Sequence, residues 1–260
     1  MIKKILFTFS LFFCAVTFAQ KKESYDFKSQ HTGDTYTLTI RFPAGFNATK
    51  SYKIAYVPDG SLKMGNYVLG TSKSWAASIP ANMVVVTIGH QNGHEMQRQR
   101  DFIPSDAGGY RNSKFGQASK FYRFLKNELL PHIKGKVPNQ LTTGFIGHSF
   151  SGLFCLYLTL QPDKLFDKHF AISPSVWANY EELMKIEKSY SEKNKTLNAR
   201  IEIYAGSLEV LNKVLASATK FYNTVKERKY RGCTISMETI PWANHISMIK
   251  PGVDRALKAL

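Results

Sequence analysis

Gly144-Phe145-Ile146-Gly147-His148-Ser149-Phe150-Ser151-Gly152-Leu153-Phe154 is the stretch that decides how this chain is read. An apolar, β-branched approach from Leu141 to Ile146 runs directly into an apolar helix-like segment from Gly152 to Leu160, with a serine at the junction. A strand that enters a helix through so tight a turn holds the serine hydroxyl out at its carboxyl end, and only small residues fit on either side of it. The G-x-S-x-G pattern of such an elbow is met by Gly147 and Ser149 but has Ser151 where the second glycine belongs. Ser151 is small enough to serve there as a steric filler, and Gly152 follows to relieve the helix start. Reading Ser151 as the nucleophile would place Ser149 in the first small position, a weaker match, so Ser149 is the expected nucleophile.

The flanking patterns agree with such a junction. Met83 to Ile88 is a continuous apolar run, as a strand buried on both faces should be. Thr35 to Phe42, Tyr52 to Val57, His169 to Ser173, Arg200 to Tyr204 and Thr234 to Ile240 read as further strands. Helical spacing covers Phe115 to Ile133, Leu211 to Lys229 and Lys250 to Leu260, with a charged helical segment from Glu181 to Lys195. A long polar loop is expected between Ile88 and Phe115. Strands alternating with helices predict an α/β fold, a mostly parallel central sheet with helices on both faces. With 260 residues, 43% of them hydrophobic, and no internal repeat or linker, one domain is expected.

An attacking serine needs a base, and the base needs an orienting acid. In an elbow fold they follow in the order serine, acid, histidine. Only His169 and His245 follow Ser149, and His169 opens a strand at the end opposite to the elbow. His245, in the loop Pro241-Trp242-Ala243-Asn244-His245 after the last strand, is the expected base. His148, beside the serine, is expected to pack, because neighbouring side chains diverge at a tight turn. The acid belongs after the strand Arg200 to Tyr204, where Glu209 stands in Ala205-Gly206-Ser207-Leu208-Glu209; the bland alternative is a helix-start glutamate held by the helix dipole. Oxyanion donors are expected from the amide of Phe150, the residue after the nucleophile, and from that of Ser61 in Asp59-Gly60-Ser61. Asp-Gly is also an ordinary turn.

Lys3 and Lys4, the apolar run Ile5 to Phe18 and the ending Thr17-Phe18-Ala19 predict a signal peptide over residues 1–19, leaving a domain over 20–260. The apolar run is too short for a membrane anchor, and export places the protein in the periplasm or outside the cell. Cleavage lowers the formal charge from +16 to +14 by removing those two lysines. The remaining lysines are scattered, with no basic stripe, so no nucleic-acid partner is expected. Cys155 and Cys233 are expected as buried free thiols. No metal and no cofactor are expected: His90 and His94 enclose Asn92-Gly93, which breaks the helix such a pair needs, and no Gly-rich phosphate loop follows a strand. Nothing in the sequence fixes an oligomeric state.

Taken together these residues resemble the putative-esterase family of α/β-hydrolases, which includes enterochelin-type siderophore esterases, feruloyl and acetyl-xylan esterases and esterase D. The resemblance runs from about Thr35 to Leu260, through Tyr56-Val57-Pro58-Asp59-Gly60, Arg100-Asp101-Phe102-Ile103-Pro104, Phe121 to Pro131, Gly147-His148-Ser149-Phe150, Ser173-Pro174-Ser175-Val176-Trp177, Gly206 to Glu209, and His245. It implies an α/β-hydrolase fold, a serine nucleophile at Ser149, a base at His245 and oxyanion amides near Ser61 and Phe150. Some relatives manage with a serine–histidine dyad, which bears on Glu209. The expected activity is ester hydrolysis through an acyl-enzyme on a small-molecule ester; the basic charge suits an anionic siderophore trilactone. Feruloyl or acetyl esters, acyl transfer to an alcohol, and a non-catalytic binding protein on the same fold are the alternatives. Arg98, Arg100 and Asp101 are expected to form a buried ion pair tying the long loop. Trp177 and Trp75 either wall the acyl pocket or belong to the core, and the segment 178–198 is either a lid or a surface helix.

Overall fold

The computed structural model describes residues 21–71, 75–91, 94–104, 116–211 and 213–260. The expected signal segment lies outside the described residues. Met83–His90 (β4) is buried at every position, as a run with no polar face requires. Around it the described strands form one eight-stranded sheet in the order β1-β2-β4-β3-β5-β6-β7-β8. The others are Lys22–Lys28 (β1), Thr35–Arg41 (β2), Tyr52–Pro58 (β3), Gln140–His148 (β5), Lys168–Ile172 (β6), Arg200–Gly206 (β7) and Thr234–Ile240 (β8). β1 and β2 pair antiparallel, as do β2 and β4, whereas the run from β4 through β3 and β5 to β8 is parallel.

Alternation along each central strand divides the core in two. Ile54, Tyr56, Val84, Val86 and Phe145 face one layer, with Phe121, Phe154 and Phe221. These three come from the helices Ala118–Phe124 (α3), Phe150–Thr159 (α5) and Val214–Arg228 (α7). Ala55, Val57, Val85 and Ile146 face the other, where Met64 and Tyr67 of Lys63–Leu69 (α1) and Val253 and Leu257 of Ile249–Ala259 (α8) cover them. The expected α/β class, a mostly parallel sheet covered on both faces, is the observed one. Parallel strands bring the loops after β3, β5, β6, β7 and β8 to one edge.

Three elements depart from the sequence reading. β1 was not expected: Lys22, Glu23, Ser24 and Asp26 give it little apolar signal, and it is an edge strand whose Tyr25 and Phe27 alone pack inward. The loop expected after Ile88 contains a helix, His94–Phe102 (α2), whose polar residues are held by ion pairs instead of an apolar stripe. The long helix expected to Ile133 is continuous but widens to a π turn at Leu125–Leu129 before Leu130–Lys136 (α4). Pro131, with no N–H to give, stands just beyond it. Ala178–Lys193 (α6) is kinked at Asn179, Tyr180 and Glu181, and beyond the kink its Glu187, 1% exposed, accepts bonds from Arg228 and Tyr230 on the α7 side.

Candidate active site

β5 ends at His148 and α5 begins at Phe150, so Ser149 alone makes the turn. It pays with a left-handed backbone, φ 62° and ψ −116°, a conformation costing an L-residue about 1–3 kcal/mol. The surroundings enforce it. The Ser149 amide donates to the Ile172 carbonyl at 3.0 Å, and the Ser149 carbonyl accepts the amides of Leu153 at 2.9 Å and Ser175 at 3.1 Å. Gly147 is obligatory, because a Cβ there would lie 2.1 Å from the Ser151 carbonyl oxygen.

The Ser149 hydroxyl lies 3.0 Å from Nε2 of His245, and Nδ1 of the same ring lies 2.6 Å from Oε1 of Glu209. The Glu209 carboxyl is fully enclosed. Burial pushes its pKa up, but the bonds it accepts from His245, from the Gly206 amide at 2.7 Å and from the Ser173 hydroxyl at 2.8 Å outweigh burial and hold it below the ordinary value. Glu209 is therefore a carboxylate and can only accept, so Nδ1 of His245 carries the proton. Nε2 is then left with a lone pair facing Ser149.

His148 packs against the His245 ring, with ring centroids 4.6 Å apart, and its Nε2 donates to the His245 carbonyl at 2.8 Å. Desolvation by burial lowers its pKa to about 4. It stays neutral and braces the His245 backbone without placing a second charge beside the ring.

Ser151 is not a filler alone. Fully buried, its hydroxyl donates to Oδ2 of Asp59 at 2.7 Å, with the His148 carbonyl at 2.9 Å, and accepts the His148 amide at 2.8 Å. Asp59, at φ 63° just after β3, is gripped from its other side by Arg98 of α2, with contacts of 2.6 and 3.2 Å. One buried carboxylate thus joins the elbow, the β3 loop and α2. The expected pairing of Arg98 with Arg100 and Asp101 is corrected accordingly. Arg100 does bind Asp101, at 2.7 Å, and Asp101 also takes Tyr36 and His90, but Arg98 belongs to Asp59. Sequence reasoning missed Asp59, Ser173 and Ser175, whose hydroxyl lies 3.2 Å from that of Ser149. Their signal was that they fall in two of the stretches that carry the family resemblance, Tyr56 to Gly60 and Ser173 to Trp177.

A cleft of about 330 Å³ opens at Ser149, lined by Asp59, Leu62, Lys63, Arg98, Phe150 and Ile246 among others. Phe150 is the first residue of α5, where amides have no partner within the helix. Ser61 lines a different cleft, with Thr87, Gly89 and His90, and its hydroxyl donates to the His90 carbonyl. Asp59, Leu62 and Lys63, from the same loop, do line the Ser149 cleft. Trp177 is half-buried, 6.4 Å from the Phe150 ring, and is not among the residues lining that cleft, while Trp75 packs on Tyr67 in the α1 layer. Cys155 is buried and Cys233 half-buried, and both are free. Among the described residues no cluster of His, Cys, Asp and Glu could hold a metal, and no helix is long and apolar enough to cross a membrane.

This chain is 27% identical over 251 residues to the ferri-bacillibactin esterase BesA of Bacillus subtilis, covering 88% of this chain and 86% of that protein. It is 23% identical over 175 residues to the siderophore triacetylfusarinine C esterase of Aspergillus fumigatus, covering 63% and 59%. In fold it matches the crystal structure of the BES protein from Bacillus cereus with a TM-score of 0.75 at 20% identity, over 99% of this chain and 97% of that one. The esterase family model, described as putative esterase, matches residues 29–238. These likenesses support ester hydrolysis, and the chain belongs to the putative-esterase family of α/β-hydrolases.

Proposed function

We propose that the chain is an exported serine carboxylic-ester hydrolase that works through an acyl-enzyme on siderophore-type esters. The observation that carries this reading is the continuous line from Ser149 through His245 to Glu209, at 3.0 and 2.6 Å. Ser149 Oγ attacks the ester carbonyl carbon while its proton passes to Nε2 of His245. The Glu209 carboxylate holds the ring in that tautomer and balances the imidazolium. The new oxyanion takes the Phe150 amide and an amide of the loop after β3, where Ser61 is the position read from the sequence. Nε2 then protonates the departing alkoxide. Water, deprotonated by the same nitrogen, attacks the acyl carbon and frees Ser149.

The substrate class rests on the two relatives, one named for ferri-bacillibactin and the other for triacetylfusarinine C. Export rests on the charged and apolar residues 1–19. The test is hydrolysis by the mature protein of a ferric catecholate trilactone, a ferric hydroxamate ester and a feruloyl ester, each followed by product chromatography. Release of linear siderophore fragments at higher kcat/KM than ferulate is expected. Cleavage of the feruloyl ester alone would move the substrate class to polysaccharide esters.

A further inference from the structure

Five of the eight large apolar side chains that stand exposed among the described residues sit on two adjoining loops. Leu208, Val210 and Leu211 are 52%, 63% and 97% exposed in the loop after β7, and Trp242 and Ile246 are 85% and 52% exposed after β8. The loops are tied together: the Leu208 amide donates to the Ala243 carbonyl at 3.1 Å and the Trp242 amide to the Ser207 hydroxyl at 2.9 Å. They are also the loops that carry Glu209 and His245, and Ile246 belongs both to the patch and to the wall of the Ser149 cleft.

Folding does not account for this rim. Trp242 keeps a left-handed backbone, φ 58°, which a bulky residue adopts only under constraint, and buries little of its ring in return. Contiguous exposed apolar surface marks a binding site. Here Ile246 joins the rim to the cleft at Ser149, so a group that reaches out of that cleft past Ile246 meets the rim.

We propose that this rim is a subsite for the hydrocarbon part of the acyl group, so that the enzyme favours esters with a long or bulky apolar acyl chain. The proposal rests on the esterase reading above. Its test compares p-nitrophenyl acetate with p-nitrophenyl octanoate for wild type and the double variant Trp242→Asn, Leu211→Ser. Both positions are exposed, and asparagine tolerates the left-handed backbone. Wild type is expected to favour octanoate through a lower KM; the variant should lose at least tenfold in kcat/KM for octanoate and stay within about twofold on acetate. If wild type cleaves acetate but shows no octanoate preference, or the variant loses both substrates equally, the subsite is refuted while the esterase reading stands. The subsite is also refuted, in favour of a lipid-docking surface, if octanoate turnover is unchanged and the variant instead loses sedimentation with phosphatidylglycerol vesicles. Cleavage of neither ester by wild type would remove both readings.

Discussion

Replacing Ser151 by glycine would restore the residue that the elbow pattern asks for, and the structure predicts that it destabilises the protein. The hydroxyl is buried and makes two strong contacts, donating to Asp59 at 2.7 Å and accepting the His148 amide at 2.8 Å. A hydrogen bond to a charged group contributes about 1.5–3 kcal/mol, and a buried amide left without an acceptor costs about 1–3 kcal/mol. The two share one hydroxyl and do not add fully, so a loss of about 3 kcal/mol is expected, with up to about 1 kcal/mol more from glycine's backbone entropy. For a domain of this size that lowers Tm by roughly 6–12 °C. Urea denaturation followed by circular dichroism measures it. Ser151→Ala, which keeps the Cβ, separates the hydrogen bonds from the glycine effect. A Ser151→Gly protein as stable as wild type would refute the reasoning and leave Ser151 a space-filler.

Acid should unfold the protein through its neutral buried histidines. His148 has a folded pKa of about 4 against an ordinary 6.5 because burial disfavours its charged form, and burial does the same to His169, also to about 4. Below 6.5 the unfolded chain binds a proton that the folded chain refuses. Each histidine therefore removes stability as pH falls from 6.5 towards 4, about 3 kcal/mol in full. Denaturation midpoints taken at steps across that window should show the decline, with His148→Gln flattening its own share; a midpoint independent of pH there contradicts the assignment. Glu209→Gln should reduce kcat by roughly 10³–10⁴-fold with little change in KM, because an amide no longer fixes the proton on Nδ1 of His245. Steady-state kinetics on p-nitrophenyl acetate measures this, and a loss below tenfold would mean that Ser149 and His245 act as a dyad.

How far the sequence reaches depends on where each structural cause lies. β4 and β8 are legible because one is apolar throughout and the other alternates between turn residues, both local signals. β1 and α2 are not, since an edge strand needs little apolar area and α2 is held by ion pairs from Arg98 to Asp59 and from Arg100 to Asp34, far off in sequence. At the site, chain order and strand ends point to Ser149, Glu209 and His245, which the structure brings together at 3.0 and 2.6 Å. The partners that set their state are separated too widely for any pattern to show. Ser151 meets Asp59 across 92 positions and Ser173 meets Glu209 across 36. The proposed second oxyanion donor illustrates the same limit: Asp59-Gly60-Ser61 marks the loop, but which cleft each of its residues faces is decided by how Gly60 and Ser61 cross Thr87 and Gly89 of β4.

The central claim is that Ser149 is the nucleophile that His245 activates. Treating the mature protein with a fluorophosphonate and mapping the adduct by peptide mass spectrometry tests it most directly. The account predicts one adduct, on Ser149, lost in Ser149→Ala and strongly slowed in His245→Ala. An unmodified protein, or an adduct on Ser151 or Ser175, would contradict it.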